Sequence, residues 1–405
     1  MAVCETFDSC ERALIAAIAA LALGSSGCRH ELHPRFEPPV VCRTTPPVTE
    51  SVFFIGDAGA PRLADPESAA PQALLDPVLG SLARDVAASV ASIGADRTAV
   101  VVLGDNIYPA GMPPPGEKGH EGAVRVLEAQ IAAVGLARGF FTLGNHDWDQ
   151  GKEHGWARAK AQDEYLSTRA PNISLHPPDT CPGPDEVRFG DHLQLIFFDI
   201  WAAIYQLDHL QSPQAHCTTH AGESRLAEAV GRMLAGTGSR RSILITHAPM
   251  YTTGPHGGNF PWREHVFPLR VFDRDLWIPL PIIGSIFPLA RRLGVTDTDQ
   301  MSARYRDYIE RAKSVFEPGR PTLVAAGHEH SLQVHVDPTG VFHAVSGAGS
   351  VDKIDYVGDM KSDLMSLAAP GYMRLDAHED GKLRLNVIAL EGDRDAKLVF
   401  STCIP

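Results

Sequence analysis

The hydrophobic and polar positions of this chain alternate short apolar runs with amphipathic stretches. SVFFIGD at 51–57 and TAVVVLGD at 98–105 are apolar runs that end in Gly-Asp, which predicts two buried strands. Helical spacing of the apolar residues predicts helices over 73–93 and 121–137. The second helix leads into FFTLGN at 140–145, which predicts a further strand.

Later parts of the chain repeat this pattern. Three apolar runs again stop at a polar residue, namely LQLIFFD at 193–199, RSILITH at 241–247 and PTLVAAGH at 321–328. Near the C-terminus, GYMRLDAH at 371–378 and KLRLNVIAL at 382–390 alternate in a way that predicts antiparallel strands. Strands that alternate with helices predict an α/β fold with a layered, buried sheet core. In such sheets, ligands bind beyond the carboxyl ends of the strands.

The carboxyl ends of five predicted strands carry residues that can bind metal ions or transfer protons. Taken singly, a Gly-Asp pair is an ordinary turn or helix cap, and a histidine in a loop is usually solvated. Five such strand ends in succession predict a functional site instead. The side chains delivered there belong to Asp57, Asp105, Tyr108, Asn145, His146, His247, His328 and His330.

Composition and charge limit the partners of this protein. Its 405 residues are 44% hydrophobic and 21% charged, as in a soluble globular protein, and its formal net charge is −13. This charge, without a Lys/Arg block, argues against a nucleic-acid surface, so no nucleic acid is expected as a partner. A negatively charged substrate would need concentrated local positive charge, and metal ions are one source of it.

The strand-end motifs GDAG, GDNIYPAG, GNHD, ITHAP and GHEHSLQ, with VSGAGS after them, resemble those of the calcineurin-like metallophosphoesterases. That superfamily usually has a histidine where this chain has Gly59, and the combination of Gly59 with Tyr108 resembles the purple acid phosphatases. The loop sequences GDNIYPAG and GHEHSLQ, with VSGAGS after them, look most like those of the small, tartrate-resistant type. The resemblance implies a catalytic domain over 50–400. It also implies a layered β-sandwich flanked by helices (α/β/β/α), with the metal site at the C-terminal ends of the strands.

The resemblance further implies a dinuclear metal centre. Carried over by position, the ligands are Asp57, Tyr108 and His330 for Fe(III), Asn145, His247 and His328 for a divalent ion, and Asp105 as the bridge. The divalent ion would be Fe(II), Zn(II) or Mn(II), because a ligand set of one amide and two imidazoles accepts several metals. Iron depends on Tyr108 reaching the site, and a centre of two Mn or two Zn ions is the alternative.

The implied activity is hydrolysis of phosphate monoesters, on a small phosphorylated substrate, by direct attack of a metal-bound hydroxide. His146 and His256 resemble histidines that contact the phosphate and protonate the leaving group, although a Gly-rich loop without chemistry is the alternative for His256. Asp147 is expected to orient an imidazole. Two alternative functions remain, a phosphodiesterase or nucleotide hydrolase on the same scaffold, and a membrane-docked binding protein that retains the fold.

The N-terminal segment resembles a bacterial lipoprotein signal. An apolar stretch at 13–23, too short to span a bilayer, precedes GSSG and Cys28. These features predict a signal at 1–27, an acylated Cys28 and a Pro-rich tether at 28–49. The protein is therefore expected to be exported to the periplasm or the outer surface with a lipid anchor, and an N-terminal helix that is buried or frayed is the alternative.

The number of cysteines suits export. Removal of the signal and acylation of the residue after it leave four cysteines, an even number suited to an oxidising compartment. Three pairings are open to them, and one joins Cys181 to Cys217 and Cys42 to Cys403. Free buried thiols are the alternative to disulfides.

An apolar, aromatic and Pro-rich insert occupies about 257–300, directly after His256. It contains too many prolines for a transmembrane helix. We expect it at the rim of the site, where it would act as a lid over the substrate, as a surface that docks on a membrane or a partner, or as a packed extra subdomain. The oligomeric state does not follow from the sequence.

Overall fold

Two β-sheets of seven strands each form the centre of the protein in a computed structural model. The structure describes residues 46–63, 76–205, 217, 223–236, 238–271, 276–280, 283–314, 316, 319–358, 363–392 and 395–405. The two sheets pack face to face, and helices cover their outer faces. The predicted layered α/β fold is therefore confirmed.

The first sheet combines parallel and antiparallel strands. Its strands, numbered along the chain, are β1 (Val48–Ile55), β2 (Thr98–Val102), β3 (Arg138–Phe141), β4 (Ile173–Leu175), β12 (Gly371–His378), β13 (Leu383–Glu391) and β14 (Asp395–Ile404). They lie in the order β14-β13-β12-β1-β2-β3-β4. Strands β1 to β4 are parallel, and β12 to β14 continue the sheet as antiparallel neighbours, as the alternating C-terminal pattern predicted.

The second sheet is built in the same way. Its strands are β5 (Asp185–Phe189), β6 (Leu193–Phe197), β7 (Arg241–Ile245), β8 (Leu323–Ala326), β9 (Leu332–Val336), β10 (Phe342–Ser346) and β11 (Asp363–Leu367). They lie in the order β11-β9-β10-β8-β7-β6-β5. Because β6, β7, β8 and β10 are parallel, their carboxyl ends reach the same edge of the sheet.

The helices of the described residues connect the strands and flank the sheets. Their bounds are α1 (Pro77–Ile93), α2 (His120–Val134), α3 (Gly155–Arg169), α4 (Ile200–Ile204), α5 (Glu223–Ala235), α6 (Trp262–Val266), α7 (Ile286–Arg292) and α8 (Ala303–Ser314). Helices α1 and α2 confirm the two helices that the spacing predicted. Helix α1 begins where the Asp76 side chain accepts hydrogen bonds from the main-chain N–H groups of Val78 and Leu79.

Each central strand is buried on both faces, which explains why its sequence is an unbroken apolar run. In β1, Phe54 packs between the two sheets, whereas Phe53 points to the helices on the outer face. The layer between the sheets includes Val101 of β2 and Ile243 of β7. This rigid double layer holds the loops at the strand ends in fixed positions.

The predicted disulfide between Cys181 and Cys217 is present. Cys403 is also disulfide-bonded, and the partner proposed for it, Cys42, lies outside the described residues. The predicted signal, the acylated Cys28 and nearly all of the tether also lie outside them, and β1 begins two residues before the predicted domain. Within the described ranges, no helix has the length and apolar character needed to cross a membrane.

Candidate metal centre

Five parallel strands, β1, β2, β3, β7 and β8, bring the predicted site residues to one place. Three of the residues that follow these strands have a left-handed backbone, with φ of 58° at Asp57, 53° at Asp105 and 71° at His328. A side-chain-bearing residue in this conformation costs about 1–3 kcal/mol and persists only where its surroundings fix it. Here, the main-chain N–H of His328 donates to Oδ2 of Asp57 at 2.7 Å, which ties the loops of the two sheets together.

The loop that carries Tyr108 fills the space beside Gly59. The main-chain N–H of Tyr108 donates to the carbonyl of Gly59 at 3.1 Å. A Cβ at Gly59 would lie 2.6 Å from the carbonyl oxygen of Asp105 and 2.7 Å from the nitrogen of Ile107. A histidine at position 59 therefore does not fit the backbone that presents Tyr108, which accounts for the joint occurrence of Gly59 and Tyr108.

The three residues predicted to bind Fe(III) contact one another. The phenol oxygen of Tyr108 lies 2.9 Å from Oδ1 of Asp57 and 3.0 Å from Nε2 of His330. Nε2 of His330 lies 3.4 Å from the same oxygen of Asp57. The phenol of Tyr108 thus reaches the site, which is the condition on which an iron ion there depends.

The residues predicted for the divalent ion form an adjoining group. Nε2 of His247 lies 3.1 Å from Oδ1 of Asn145 and 3.5 Å from Oδ1 of Asp105. Asp105, His247 and His328 each offer a ligand atom, and these atoms lie within 4.8 Å of one another. All four side chains are buried. Asp105 contacts His247 of this group and Tyr108 of the first group, so it lies between the two groups.

Each of the three histidines among the predicted ligands has one ring nitrogen against an acceptor that is not itself a predicted ligand. Nδ1 of His247 lies 2.7 Å from the carbonyl of Leu103, and Nδ1 of His330 lies 3.0 Å from a carboxylate oxygen of Asp355. For His328 the outer nitrogen is Nε2, which lies 2.9 Å from the carbonyl of Thr298. A proton held on these outer nitrogens leaves the lone pair of the other nitrogen free, which is the arrangement of metal-bound histidines.

The pKa values of the cluster are strongly perturbed. Burial raises the pKa of Tyr108 well above its usual value, and the nearby Asp57 and Asp105 raise it further. Burial alone would lower the pKa of His247, yet Asp105 raises it to about 9. Burial, together with His256 and His247, lowers the pKa of His328 well below its usual value. A cation among these groups would reverse the shifts of Tyr108 and His247, because it favours phenolate and neutral imidazole.

The donor set fits a pair of metal ions. Carboxylate and phenolate suit a hard trivalent ion, and imidazole with an amide oxygen suits a first-row divalent ion. The two groups share Asp105 as a neighbour, and outer acceptors fix the histidine tautomers. Which metals bind remains a prediction.

His146 lies at the mouth of the site and Asp147 lies behind it. Nε2 of His146 is 3.9 Å from Asp105, and its Nδ1 faces the carbonyl of Pro109 at 2.5 Å. Asp147 is fully buried and accepts hydrogen bonds from the main-chain N–H groups of Asn106 and Gly144. Within the described part of the chain its partners are these amides and not an imidazole. Asp147 therefore fixes the loops, which corrects the expectation that it orients a histidine.

A cleft of about 510 Å³ opens above the cluster. His146 and His256 line its sides, so the structure brings both predicted phosphate-contacting histidines to the cleft. The ring of His256 packs against that of His328, with 4.0 Å between the centroids. Residues 295–298, at the end of the insert, form another part of the wall. At the base of the cleft are Asp105, Asn145, His328 and His330.

Solved structures of other proteins share this architecture. Purple acid phosphatase PPD1 from yellow lupin (Lupinus luteus) seeds matches with a TM-score of 0.51 and 13% sequence identity, over 87% of this chain and 53% of the lupin chain. The fold is of the metallophosphoesterase type. GAP50, the anchor in the inner membrane complex of Plasmodium, matches with a TM-score of 0.54 and 12% identity, over 88% of this chain and 89% of GAP50.

These comparisons show the fold and nothing finer, because both identities are low. This chain spans about half the length of the lupin protein. No protein-family model and no curated protein sequence matches the chain. The function of the cleft therefore has to follow from its own residues.

Several residues at the site carry no signal in the sequence. Asp355 and Thr298 hold the outer nitrogens of His330 and His328. Asp299 and Arg291 contact His256. None of the four ends a strand or belongs to a strand-end motif, so only their positions in space reveal them.

Proposed function

We propose that this protein is a dinuclear-metal phosphatase that hydrolyses phosphate monoesters. The observation that carries the proposal is the pair of adjoining donor groups, each with its histidine tautomers fixed from outside, at the base of an open cleft. Metal ions bound there would supply a nucleophile at neutral pH and neutralise charge on the phosphoryl oxygens. In a purple acid phosphatase, as the motifs suggest, the ions would be Fe(III) with Fe(II), Zn(II) or Mn(II).

The residues above the cluster have the chemistry that a phosphate monoester requires. When protonated on both ring nitrogens, His146 and His256 can each donate an N–H to a phosphate oxygen, and imidazolium is suited to protonating a leaving group near neutral pH. The cleft volume suits a small phosphorylated substrate. A phosphodiesterase or nucleotide hydrolase would use the same base, and it would differ in what the cleft walls admit.

The test is a visible absorption spectrum of the purified protein, with metal content and turnover measured on the same sample. We expect two metal ions per chain, a visible tyrosinate-to-Fe(III) band that is lost in Tyr108→Phe, and faster turnover of p-nitrophenyl phosphate than of bis(p-nitrophenyl) phosphate. A colourless protein with two Mn or Zn ions would refute iron but keep the phosphoesterase. Faster diester turnover would favour the phosphodiesterase, and a protein without metal or turnover would refute an enzyme.

A membrane-docked binding protein is the second candidate, and the exposed apolar residues of the insert favour it. Of the fourteen large hydrophobic side chains that the described residues expose, eleven lie between Trp262 and Met301. Trp262 and Trp277 are 64% and 55% exposed, and tryptophan is enriched where proteins meet membrane interfaces. The name of GAP50 as an anchor agrees with such a role but describes only that protein.

We also propose that the protein is exported and held at a membrane by an acylated Cys28, with the insert as a second contact. Sedimentation with anionic lipid vesicles tests the insert, and the variant Trp262→Ser/Trp277→Ser is expected to bind less. Equal sedimentation of variant and parent would contradict the insert contact. Release of the protein into the soluble fraction by Cys28→Ser tests the anchor separately.

A further inference from the structure

The two ends of the insert meet beside the metal cluster. The main-chain N–H of Gln300 donates to the carbonyl of His256 at 2.9 Å, and Nε2 of Gln300 donates to the carbonyl of Pro249 at 2.9 Å. The insert therefore leaves the catalytic core at His256 and returns to it at Asp299. The two ends of the insert are therefore joined by hydrogen bonds made beside the metal cluster.

Asp299 contacts the His256 ring at this closure. Oδ1 of Asp299 lies 3.0 Å from Nδ1 of His256. Arg291, in α7 of the insert, donates from Nε to Oδ2 of Asp299 at 2.8 Å and from Nη2 to Oδ1. The side chain of Asp299 is 1% exposed and that of Arg291 is 15% exposed, so water does not compete strongly for these contacts.

The carboxylate is the acceptor in this arrangement. Burial would raise the pKa of Asp299, but hydrogen bonds from Arg291 and His256 lower it to about 2, so the group is ionised. Nη2 of Arg291 also lies 3.0 Å from Nδ1 of His256; it could donate to that nitrogen only if the ring carried no proton there, and the ionised carboxylate favours the ring with that proton. An ionised carboxylate accepts from both N–H groups at once.

Arg291 is held by aromatic residues of the insert. Its guanidinium carbon lies 5.3 Å from the ring centroid of Phe260 and 5.7 Å from that of Phe287. Contacts of a guanidinium with ring faces are favourable and restrict its orientation. The insert thus orients Arg291, Arg291 orients Asp299, and Asp299 faces His256.

We propose that Asp299 and Arg291 are positioning residues, which hold the Nδ1 proton of His256 so that its Nε2 faces the cleft. The main-chain N–H of His256 donates to the buried Glu329 at 3.2 Å, which fixes the backbone while the insert fixes the ring. The inference rests on the proposed phosphatase function and extends it. The insert supplies an orienting pair for a histidine of the core, in addition to any role of its outer surface.

A double-mutant cycle tests this positioning. We would measure kcat and KM for p-nitrophenyl phosphate, with metal content, in the parent protein, Asp299→Asn, His256→Ala and the double variant. Asp299→Asn is expected to lower kcat about 10- to 100-fold, a part of the 10²- to 10⁴-fold that a positioned proton donor supplies, with KM changed less than about threefold. In the His256→Ala background, Asp299→Asn should change kcat less than about twofold.

Asp191→Asn is the matched control. It breaks an Asp–Arg pair with Arg97 at the other end of the sheets, where the Asp191 side chain is 70% exposed, and it should leave kcat unchanged. Arg291→Lys is the alternative variant if Asp299→Asn does not fold, because lysine keeps the positive charge but cannot make the bidentate contact with Asp299. An equal effect of either variant with and without His256, or no effect at all, would overturn the proposal.

A proton NMR spectrum of the metal-free protein gives a readout that does not depend on turnover. An imidazole N–H donated to a buried carboxylate is expected as a downfield resonance, present in the parent, lost in His256→Ala and shifted in Asp299→Asn. Its absence from the parent would overturn the proposal. Failure of the proposed phosphatase function would give a different result from failure of the positioning. In that case the parent protein would bind metal or show the resonance but would have no turnover.

Discussion

Replacing Gly144 by alanine tests how closely the strand-end loops approach one another. A Cβ at this position would lie 2.8 Å from Cε1 of His247 and closer still to the carboxylate and main-chain nitrogen of Asp105. Neither neighbour is the end of a flexible side chain, so Asp105 or the loop must move. Overpacking of this kind costs about 1–3 kcal/mol, and here it falls on the predicted bridging ligand.

We expect Gly144→Ala to lower the melting temperature by several degrees, to reduce metal content below two ions per chain and to lower kcat at least 10²-fold. The assays are thermal denaturation, elemental analysis and p-nitrophenyl phosphate turnover. Gly122→Ala, in the first turn of α2, is the control, because an added Cβ there has nothing within 4 Å and the substitution should not destabilise the protein. Gly144→Ala with unchanged stability, metal content and kcat would refute the close approach.

Two further predictions concern stability. Burial and the neighbouring Asp105 raise the pKa of Asp147 from 3.8 to about 8, so the metal-free protein should lose stability as the pH rises from about 4 to 8. Asp147→Asn keeps an oxygen that can accept from both main-chain amides. In thermal denaturation this variant should be more stable than the parent at pH 8 but not at pH 4. The same pH dependence of stability in variant and parent would contradict this. The Cys181–Cys217 disulfide joins residues separated by 36 positions in the sequence. Loss of this constraint on the unfolded chain in Cys217→Ser should lower the free energy of unfolding by about 4 kcal/mol. Identical melting curves of parent and variant without a reducing agent would contradict this.

The sequence was most informative where strands of the central sheets end. An apolar run that stops at Asp57, Asp105 or His247 identifies both a buried strand and the residue delivered from its end. Parallel pairing then brings those ends together without any knowledge of the loops. The fold class and the spatial grouping of the predicted site residues followed from that rule.

The sequence was least informative about residues that act on other side chains. Asp147 stands next to His146 in the chain, which suggested that it orients an imidazole, yet its carboxylate points back to the main chain of two loops. Asp299 does orient an imidazole, that of His256, from 43 residues away. Proximity along the chain does not specify which way a side chain points, so these roles follow only from the three-dimensional structure.

The two membrane contacts proposed for this protein, the acylated Cys28 and the insert, connect to the domain at different edges. Strand β1 has 8 residues and runs from Val48 toward Asp57, so the chain enters the sheet about 25 Å from the metal cluster. The insert follows the other end of the strands, beside the cleft. The 19 residues between Cys28 and Val48 could extend over about 60 Å, which exceeds that distance. An anchor at Cys28 would therefore allow either edge to face the membrane, so the insert could reach the same bilayer as the anchor, and loss of either contact should weaken binding without removing the other contact.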